Sequence, residues 1–319
     1  MNRTDSFGEI FRLTDGGDTH GPKMFGRIDN CPAGVLIDFD FIQSELARRA
    51  PSRDANSTRR SEPDIVEFTS GVLNGVTTGE SLFFEIPNKD VKVNESACFV
   101  IKPSHASYVY KEKYGAQSNE ECGRASARQS VCRVVAGAIA KLCLKQYGIE
   151  ITTKTVEMGK PACKGDTFGA KVECRIKNLP VGLGEPVYNK FHARLAFAMM
   201  SINTAKAFEI GEGFAAATMS GSEFNDTQNA DFSFNSNHDG GVQAGITNGQ
   251  EVYFNVAFKP IPSLQCEQKT IDFMGNPIVY RANERNDLCV VPRVLPVVEA
   301  MAAMVVLDFI LLREENRLK

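Results

Sequence analysis

A layered α/β sandwich, built from two related units around one core, is the fold that this sequence predicts. Three observations predict it: a long internal repeat, two long apolar helical patterns that close the halves, and short strand patterns set off by Gly-rich turns.

Gly71–Lys89 lies against Gly241–Lys259 without a gap, with seven of nineteen positions identical and four more exchanged like for like. Ile28-x-Asn30-x-Pro32-Ala33-Gly34 recurs as Ile176-x-Asn178-x-Pro180-Val181-Gly182, each followed by a helical pattern. Chance likeness among Gly-rich turns would not preserve the order of elements. The period is far too long for a solenoid and fits two α/β units packed together. The halves span about 24–147 and 168–312. No linker or low-complexity stretch separates them, so the 319 residues are expected to form one domain.

Leu82–Ile86 and Val252–Phe258 are rich in aromatic and β-branched residues and follow Thr-x-Gly turns, so they read as strands. Phe41–Ala50 and Val187–Ala198 read as amphipathic helices. Between Ala127 and Tyr147, apolar residues at 131, 134, 135, 138, 139 and 142 have helical spacing, with Ser126 as N-cap and Gly148 as stop. Loops are expected at 14–23, 51–64, 115–125 and 219–250. Val294–Leu312 is apolar nearly all round but carries Glu299 and Asp308, which a bilayer would penalise. It reads as a buried core helix. Helices this apolar need cover on several sides, which outer strands would provide.

Composition narrows the function. The net charge of −3 gives no whole-molecule attraction to nucleic acid or anionic membrane, so any anion site must be a local cluster. The cysteine count of nine is odd and no C-x-x-C occurs, which fits reduced thiols in a cytoplasmic protein rather than a disulfide framework or metal site. Residues 1–5 are followed by no apolar run, so no signal peptide is expected.

Of four histidines, His20 and His105 lie in short turns, Gly17-Asp-Thr-His-Gly21 and Lys102-Pro-Ser-His-Ala106. A histidine there can meet a ligand with a pKa suited to proton transfer, or can simply cap a surface turn. His192 reads as structural. Arginines gather at 48, 49, 53, 59 and 60, at 124, 128 and 133, and at 285 and 293. Their forked guanidinium groups match carboxylate and phosphate oxygens, although a solvated loop would explain the first group equally well. Arg124 and Arg128 stand at a helix N-terminus, where cations oppose the dipole, so an anionic ligand is expected to offset them. The residues themselves indicate an enzyme for small anions. An RNA-binding reading of the arginine run fails for want of interleaved aromatic residues.

The same stretches resemble the chorismate synthase family. Gly17-Asp-Thr-His-Gly21 is similar to the family's G-E-S-H-G, and Pro103-Ser-His-Ala106 with Tyr108 and Lys113-Tyr-Gly115 to its P-S-H-A-D-Y…K-Y-G. Gly123-Arg-Ala-Ser-Ala-Arg128, Gly182-Leu-Gly-Glu-Pro186, Ser201-Ile-Asn203, Lys259-Pro260 and Arg285…Asp287…Cys289 follow in the family's order. The resemblance runs from Phe7 to about Leu312. It implies a β-α sandwich with inner helices and outer antiparallel sheets, commonly a homotetramer. It also implies anti-1,4-elimination of phosphate from 5-enolpyruvylshikimate-3-phosphate, using reduced FMN.

Carried over by position, His20, His105 and Asp287 would handle protons. Arg124, Ala125, Ser126, Asn203, Thr204, Ala244, the turn Lys259-Pro260-Ile261-Pro262-Ser263 and Arg285 would hold FMN. Arg49, Arg60 and Arg128 would bind substrate, with NADP at the Arg49 position in some members. No metal is implied. Departures gather at the rim: Thr19, Lys102, Ser107, Ser118, Glu120, Glu121, Asn286 and Leu288 replace usual residues, and Ala55 stands for an expected arginine. The stretch between about Val156 and Gly165 is shorter than usual. The alternative reading is a relative that kept the fold as a flavin- or nucleotide-binding or structural oligomer.

Overall fold

A computed structural model describes residues 5–51, 62–90, 100–115, 123–282 and 286–317. The first half contains β1 (Ser6–Phe7), β2 (Arg12–Gly17), β3 (Lys23–Asp29), α1 (Phe39–Arg49), β4 (Glu67–Ser70), β5 (Val72–Leu73), β6 (Val76–Thr77), β7 (Leu82–Pro87), α2 (Ser107–Tyr114) and α3 (Ser130–Lys145). The second contains β8 (Glu150–Met158), β9 (Ala170–Lys177), α4 (Phe191–Met200), β10 (Ala205–Ile210), α5 (Gly221–Phe224), β11 (Val242–Gln243), β12 (Ile246–Thr247), β13 (Val252–Phe258), β14 (Gln268–Ile271), β15 (Pro277–Tyr280) and α6 (Leu295–Arg317).

The two main sheets have the same wiring. One runs β1-β2-β3-β7-β4 and the other β10-β13-β9-β8, with all pairs antiparallel. Read from β2 and from β8, each places its second hairpin strand beside the strand that follows the Gly-rich turn. The likeness extends to hydrogen bonds. Thr77 Oγ1 donates to the Pro32 carbonyl at 2.6 Å and accepts from the Val35 amide at 2.9 Å, while Thr247 Oγ1 donates to Pro180 at 2.8 Å and accepts from Leu183 at 2.9 Å. Asn74 and Ala244 occupy the same left-handed turn position, at φ 52° and 51°.

The helices α3 and α6 form the middle layer. At Gly137 an added Cβ would lie 2.3 Å from the Ala300 Cα, so only glycine permits so close a crossing. The core is continuous from Leu82, Phe84 and Ile86 of β7 through Val135 and Ile139 of α3 and Val298 and Met304 of α6 to Val172, Cys174 and Phe254 of the second sheet. The alternating burial of β13, inward at Val252, Phe254, Val256 and Phe258, is the period-2 signature of a sheet with one face on the core.

The helix α6 contains a segment, Leu295–Glu314, long and apolar enough to cross a membrane, and most of it is buried inside the protein. Its acids are satisfied within the fold. Asp308 accepts from the amides of Glu9, Ile10 and Phe11 at 2.7–3.0 Å. Glu299 binds Arg48 through both oxygens at 2.7 Å, Lys141 at 2.5 Å and Thr153 at 2.7 Å.

Some boundaries differ from expectation. The second amphipathic helix starts at Phe191, because 185–190 forms a turn in which Glu185 N–H donates to Asn189. The polar run 14–23 is half strand: Thr14–Gly17 complete β2 against β3, glycine being tolerated where Phe25 packs across Gly16. The run 219–250 contains α5, β11 and β12. Ser126 caps a 3-10 turn at Ala127–Gln129, and the α-helix proper begins at Ser130.

Candidate active site

Two buried arginines share one buried carboxylate. Asp64 accepts from Arg49 Nη2 at 2.8 Å and from Arg128 Nη1, and all three residues are at most 5% exposed. Burial opposes the charge on Asp64, but attraction and hydrogen bonds from Arg49 and Arg128 outweigh it and hold the acid below the usual carboxylate range. Two guanidinium groups therefore converge on one carboxylate in a dry place. The Arg128 Nη2 atom, buried, has no hydrogen-bond partner among the described residues. An unpaired guanidinium nitrogen in that setting fits an anionic ligand.

The third Arg128 nitrogen leads to the His20 turn. Its Nε donates to Asn88 Oδ1 at 3.0 Å, and Asn88 Nδ2 donates to the carbonyls of Asp18 and Gly21 at 3.1 and 2.8 Å. Asp18 in turn accepts from the His20 amide at 2.8 Å. The turn also meets the start of α3 through Ser126 and Thr19, 3.3 Å apart, and through Gln129, which donates to the Gly17 carbonyl at 3.1 Å.

For Arg124 the expected counter-anion is the protein itself. It donates to Asp15 at 2.7 Å, to Asp5 at 2.9 Å and to Gln129 at 2.6 Å. Burial opposes its charge, yet these acids raise its pKa. The helix-end cost that the sequence assigns to a ligand is met at Arg124 by carboxylates, and at Arg128 only in part. Arg133 donates to the carbonyl and hydroxyl of Ser201 at 3.0 Å each, tying α3 to the end of α4.

A second run of contacts reaches His105. Asn203 Nδ2 donates to the Ala125 carbonyl at 2.8 Å, the Lys259 amide donates to the Thr204 carbonyl at 2.9 Å, and Lys259 Nζ donates to the Ser104 carbonyl at 2.9 Å. The Ser107 amide donates to His105 Nδ1 at 3.1 Å, which makes Nδ1 an acceptor and leaves the proton of the neutral ring on Nε2. The β14–β15 hairpin backs this segment: Ile101 pairs with Ile271, and Lys111 lies 3.7 Å over the Phe273 ring.

Asp287 joins the first cluster through Arg293. Arg293 Nη1 makes a short contact to the Asp287 carboxylate, and Nε donates to the Arg49 carbonyl at 2.9 Å. Three non-glycine residues with left-handed backbone lie at or beside these positions: Asp64, Ser104 and Thr204, with φ of 48°, 55° and 67°. β-branched Thr204 is the most unfavourable of them, and such strain concentrates where a site fixes geometry.

Thus His20, Arg128, Arg49 and Asp287 share one contact network, and Ala125, Asn203, Thr204, Lys259 and His105 share an adjoining one. Ala244 stands apart in the β11–β12 turn, where its neighbour Gly245 packs on Glu185 and Lys190. Within the Lys259–Ser263 turn, the Ile261 carbonyl accepts from Thr167 at 2.7 Å. Arg53, Arg59, Arg60, Arg285, Ala55, Ser118, Glu120 and Glu121 lie outside the described residues.

Two rim departures have a local account. Ser107 Oγ accepts from the Lys102 amide at 3.1 Å, so the hydroxyl closes the turn as a carboxylate would. Leu288 packs on the small cluster of Phe168, Ala170 and Cys289, and its carbonyl accepts from the Phe168 amide at 3.1 Å.

Asp64 and Asn88 escape sequence reasoning, and Arg293 is legible only as one of a group. Asn88 had a signal: in the repeat it stands opposite Phe258, a buried core residue. A polar residue that breaks an apolar repeat marks where the halves diverge in purpose. Asp64 offered no periodicity, since its partners lie 15 and 64 residues away.

Comparison with known proteins covers nearly the whole chain. The profile of the chorismate synthase family matches residues 11–164 and 160–311. The chorismate synthase of Phocaeicola vulgatus is 43% identical over 356 aligned positions, covering 98% of this chain and 99% of that protein. That of Bacteroides thetaiotaomicron is also 43% identical, with the same coverage. A crystal structure of chorismate synthase superposes with a TM-score of 0.74 at 25% identity, covering 96% of this chain and 93% of the other. The alignments run over more positions than the 319 residues of the chain, and the profile breaks at 160–164, in the stretch read as shortened. The chain belongs to the chorismate synthase family.

Proposed function

We propose that this chain catalyses 1,4-elimination of phosphate from 5-enolpyruvylshikimate-3-phosphate to give chorismate, in the shikimate pathway. The observation that carries the reading is the buried Arg49–Asp64–Arg128 cluster, in contact with the His20 turn, whose Arg128 Nη2 has no hydrogen-bond partner among the described residues. A substrate bearing a phosphate and two carboxylates suits a guanidinium nitrogen placed so.

The residues also fit a phosphate-bearing flavin. The strained Thr204 backbone, Ser126, Asn203 and the Lys259–Ser263 turn would hold FMN, with Arg124, Ala125, Ala244 and Arg285 contributing. Reduced FMN, when bound, would supply transient electron density for the departure of phosphate, with no net redox change. The side chains then have separable tasks. His105, with its proton on Nε2, donates to the leaving phosphate; Arg49 and Arg128 hold substrate anions; His20 and Asp287 hold and move protons at the flavin edge. A positioned acid is typically worth about a hundred- to ten-thousand-fold.

We further infer one domain of two pseudo-repeats, a cytoplasmic location, NADPH as an electron source for FMN, and a homotetramer. Exposed Val181, Tyr188 and Phe197 support assembly, since so much apolar surface is costly in water; sedimentation of the purified protein tests it.

The decisive experiment is anaerobic turnover of 5-enolpyruvylshikimate-3-phosphate with chemically reduced FMN, followed by chorismate absorbance. Steady turnover, lost in His20→Ala and His105→Ala, is expected. A folded, FMN-binding protein without turnover would leave the fold-retaining, non-catalytic relative as the correct reading.

A further inference from the structure

Asn88 has no part in the family roles carried over above, yet its amide is fully used. Its Oδ1 accepts from Arg128 Nε at 3.0 Å, its Nδ2 reaches the carbonyls on either side of His20 at 3.1 and 2.8 Å, and its own amide donates to the Pro22 carbonyl at 2.9 Å. It follows the last residue of β7, a strand fixed by pairing on both edges. The equivalent residue of the other half is Phe258, 3% exposed in the core, so the fold itself does not require an amide at this position.

We propose that Asn88 is a positioning residue for the reaction: one rigid amide sets the Arg128 guanidinium plane and the His20 turn in a common register. Because Nε and Nη1 of Arg128 are held by Asn88 and Asp64, the remaining Nη2 can point only one way. The carboxamide is the one short side chain that accepts on one side while donating twice on the other. This inference rests on the synthase reading of His20 and Arg128.

The two halves of the amide can be separated by mutation. Asn88→Asp keeps the acceptor for Arg128 but turns two donor contacts into repulsion between oxygens, releasing the His20 turn. Asn88→Ala removes both. For N88D we expect kcat to fall roughly ten- to a hundredfold, as misplacement on the order of an ångström can cost, with KM for substrate near wild type. For N88A we expect the same fall in kcat together with a raised KM, and Arg128→Lys added to N88A should cost less than in the wild-type background. Circular dichroism and thermal unfolding establish that each variant is folded; N88D, nearly isosteric, covers the case in which N88A is not. Wild-type kcat in N88D, or loss in N88D that merely tracks its unfolded fraction, overturns the inference alone. An inactive wild-type enzyme overturns the synthase reading and this inference with it.

Discussion

Arg293 ties Asp287 to the backbone of Arg49: one guanidinium nitrogen meets the carboxylate, and another donates to the Arg49 carbonyl at 2.9 Å. Asp287 and Arg293 lie in the one segment that leads into α6, so the contacts brace that loop and fix it against the end of α1. Lysine cannot reproduce it, because its single ammonium lacks the fork. Arg293→Ala is expected to lower kcat on the order of tenfold or more, and Arg293→Lys to recover little of it. Unchanged kcat in folded Arg293→Ala would show that Asp287 needs no such tether.

Glu299 knots the halves together. Its partners come from α1 (Arg48), α3 (Lys141) and β8 (Thr153), while Glu45 of α1 shares both cations. Burial opposes its charge, but hydrogen bonds and attraction from Arg48 and Lys141 lower its pKa from 4.5 to about 2. With the folded-state value depressed, the stabilisation is fully present above 4.5 and is lost as pH falls through about 2. Glu299→Ala removes one of the two carboxylates that hold Arg48 and Lys141 and leaves Glu45 in place, so it is expected to cost about 1.5–3 kcal/mol. Urea unfolding at pH 7 measures that loss. Comparing wild type with Glu299→Gln between pH 5 and pH 2 should show a flatter acid limb for the variant.

Five of the seven described cysteines are buried: Cys31, Cys132, Cys143, Cys174 and Cys289. Cys163, exposed, and Cys266 differ: their sulfurs lie 3.1 Å apart across 103 residues of chain. Treatment with a small-molecule disulfide should convert this pair to an intramolecular disulfide, releasing two equivalents of the small thiol. Non-reducing peptide mapping should recover the 163–266 link, and Cys163→Ser should abolish it. The cross-link is expected to raise stability by about 2–4 kcal/mol. A map in which both thiols remain alkylatable rules it out.

Much of the fold was legible because it is duplicated. The Thr-x-Gly turns, the Asn-x-Pro-x-Gly motifs and the two apolar helices each appear twice, so one copy checks the other. Helix starts were less legible. Lys190 stands before α4 with no side-chain cap hydrogen bond, and nothing local separates the turn at 185–190 from the helix that follows. In the candidate site, His20, His105 and the arginines announce themselves by residue type and turn context. The residues that hold them do not. Asp64 and Asn88 act through partners distant in sequence, and so do Asp5 and Asp15 beside Arg124.

The Gly159 amide donates to the Gly169 carbonyl at 2.9 Å, and the chain between them turns back on itself through Ala162 and Asp166. The match to the family divides at 160–164, between that pinned pair. A closed neck isolates whatever hangs from it, and lengthening a loop costs only about 0.6 kcal/mol per doubling. A change of length at the neck would therefore leave Thr167 and Phe168, just inside it, with their hold on Ile261 and Leu288.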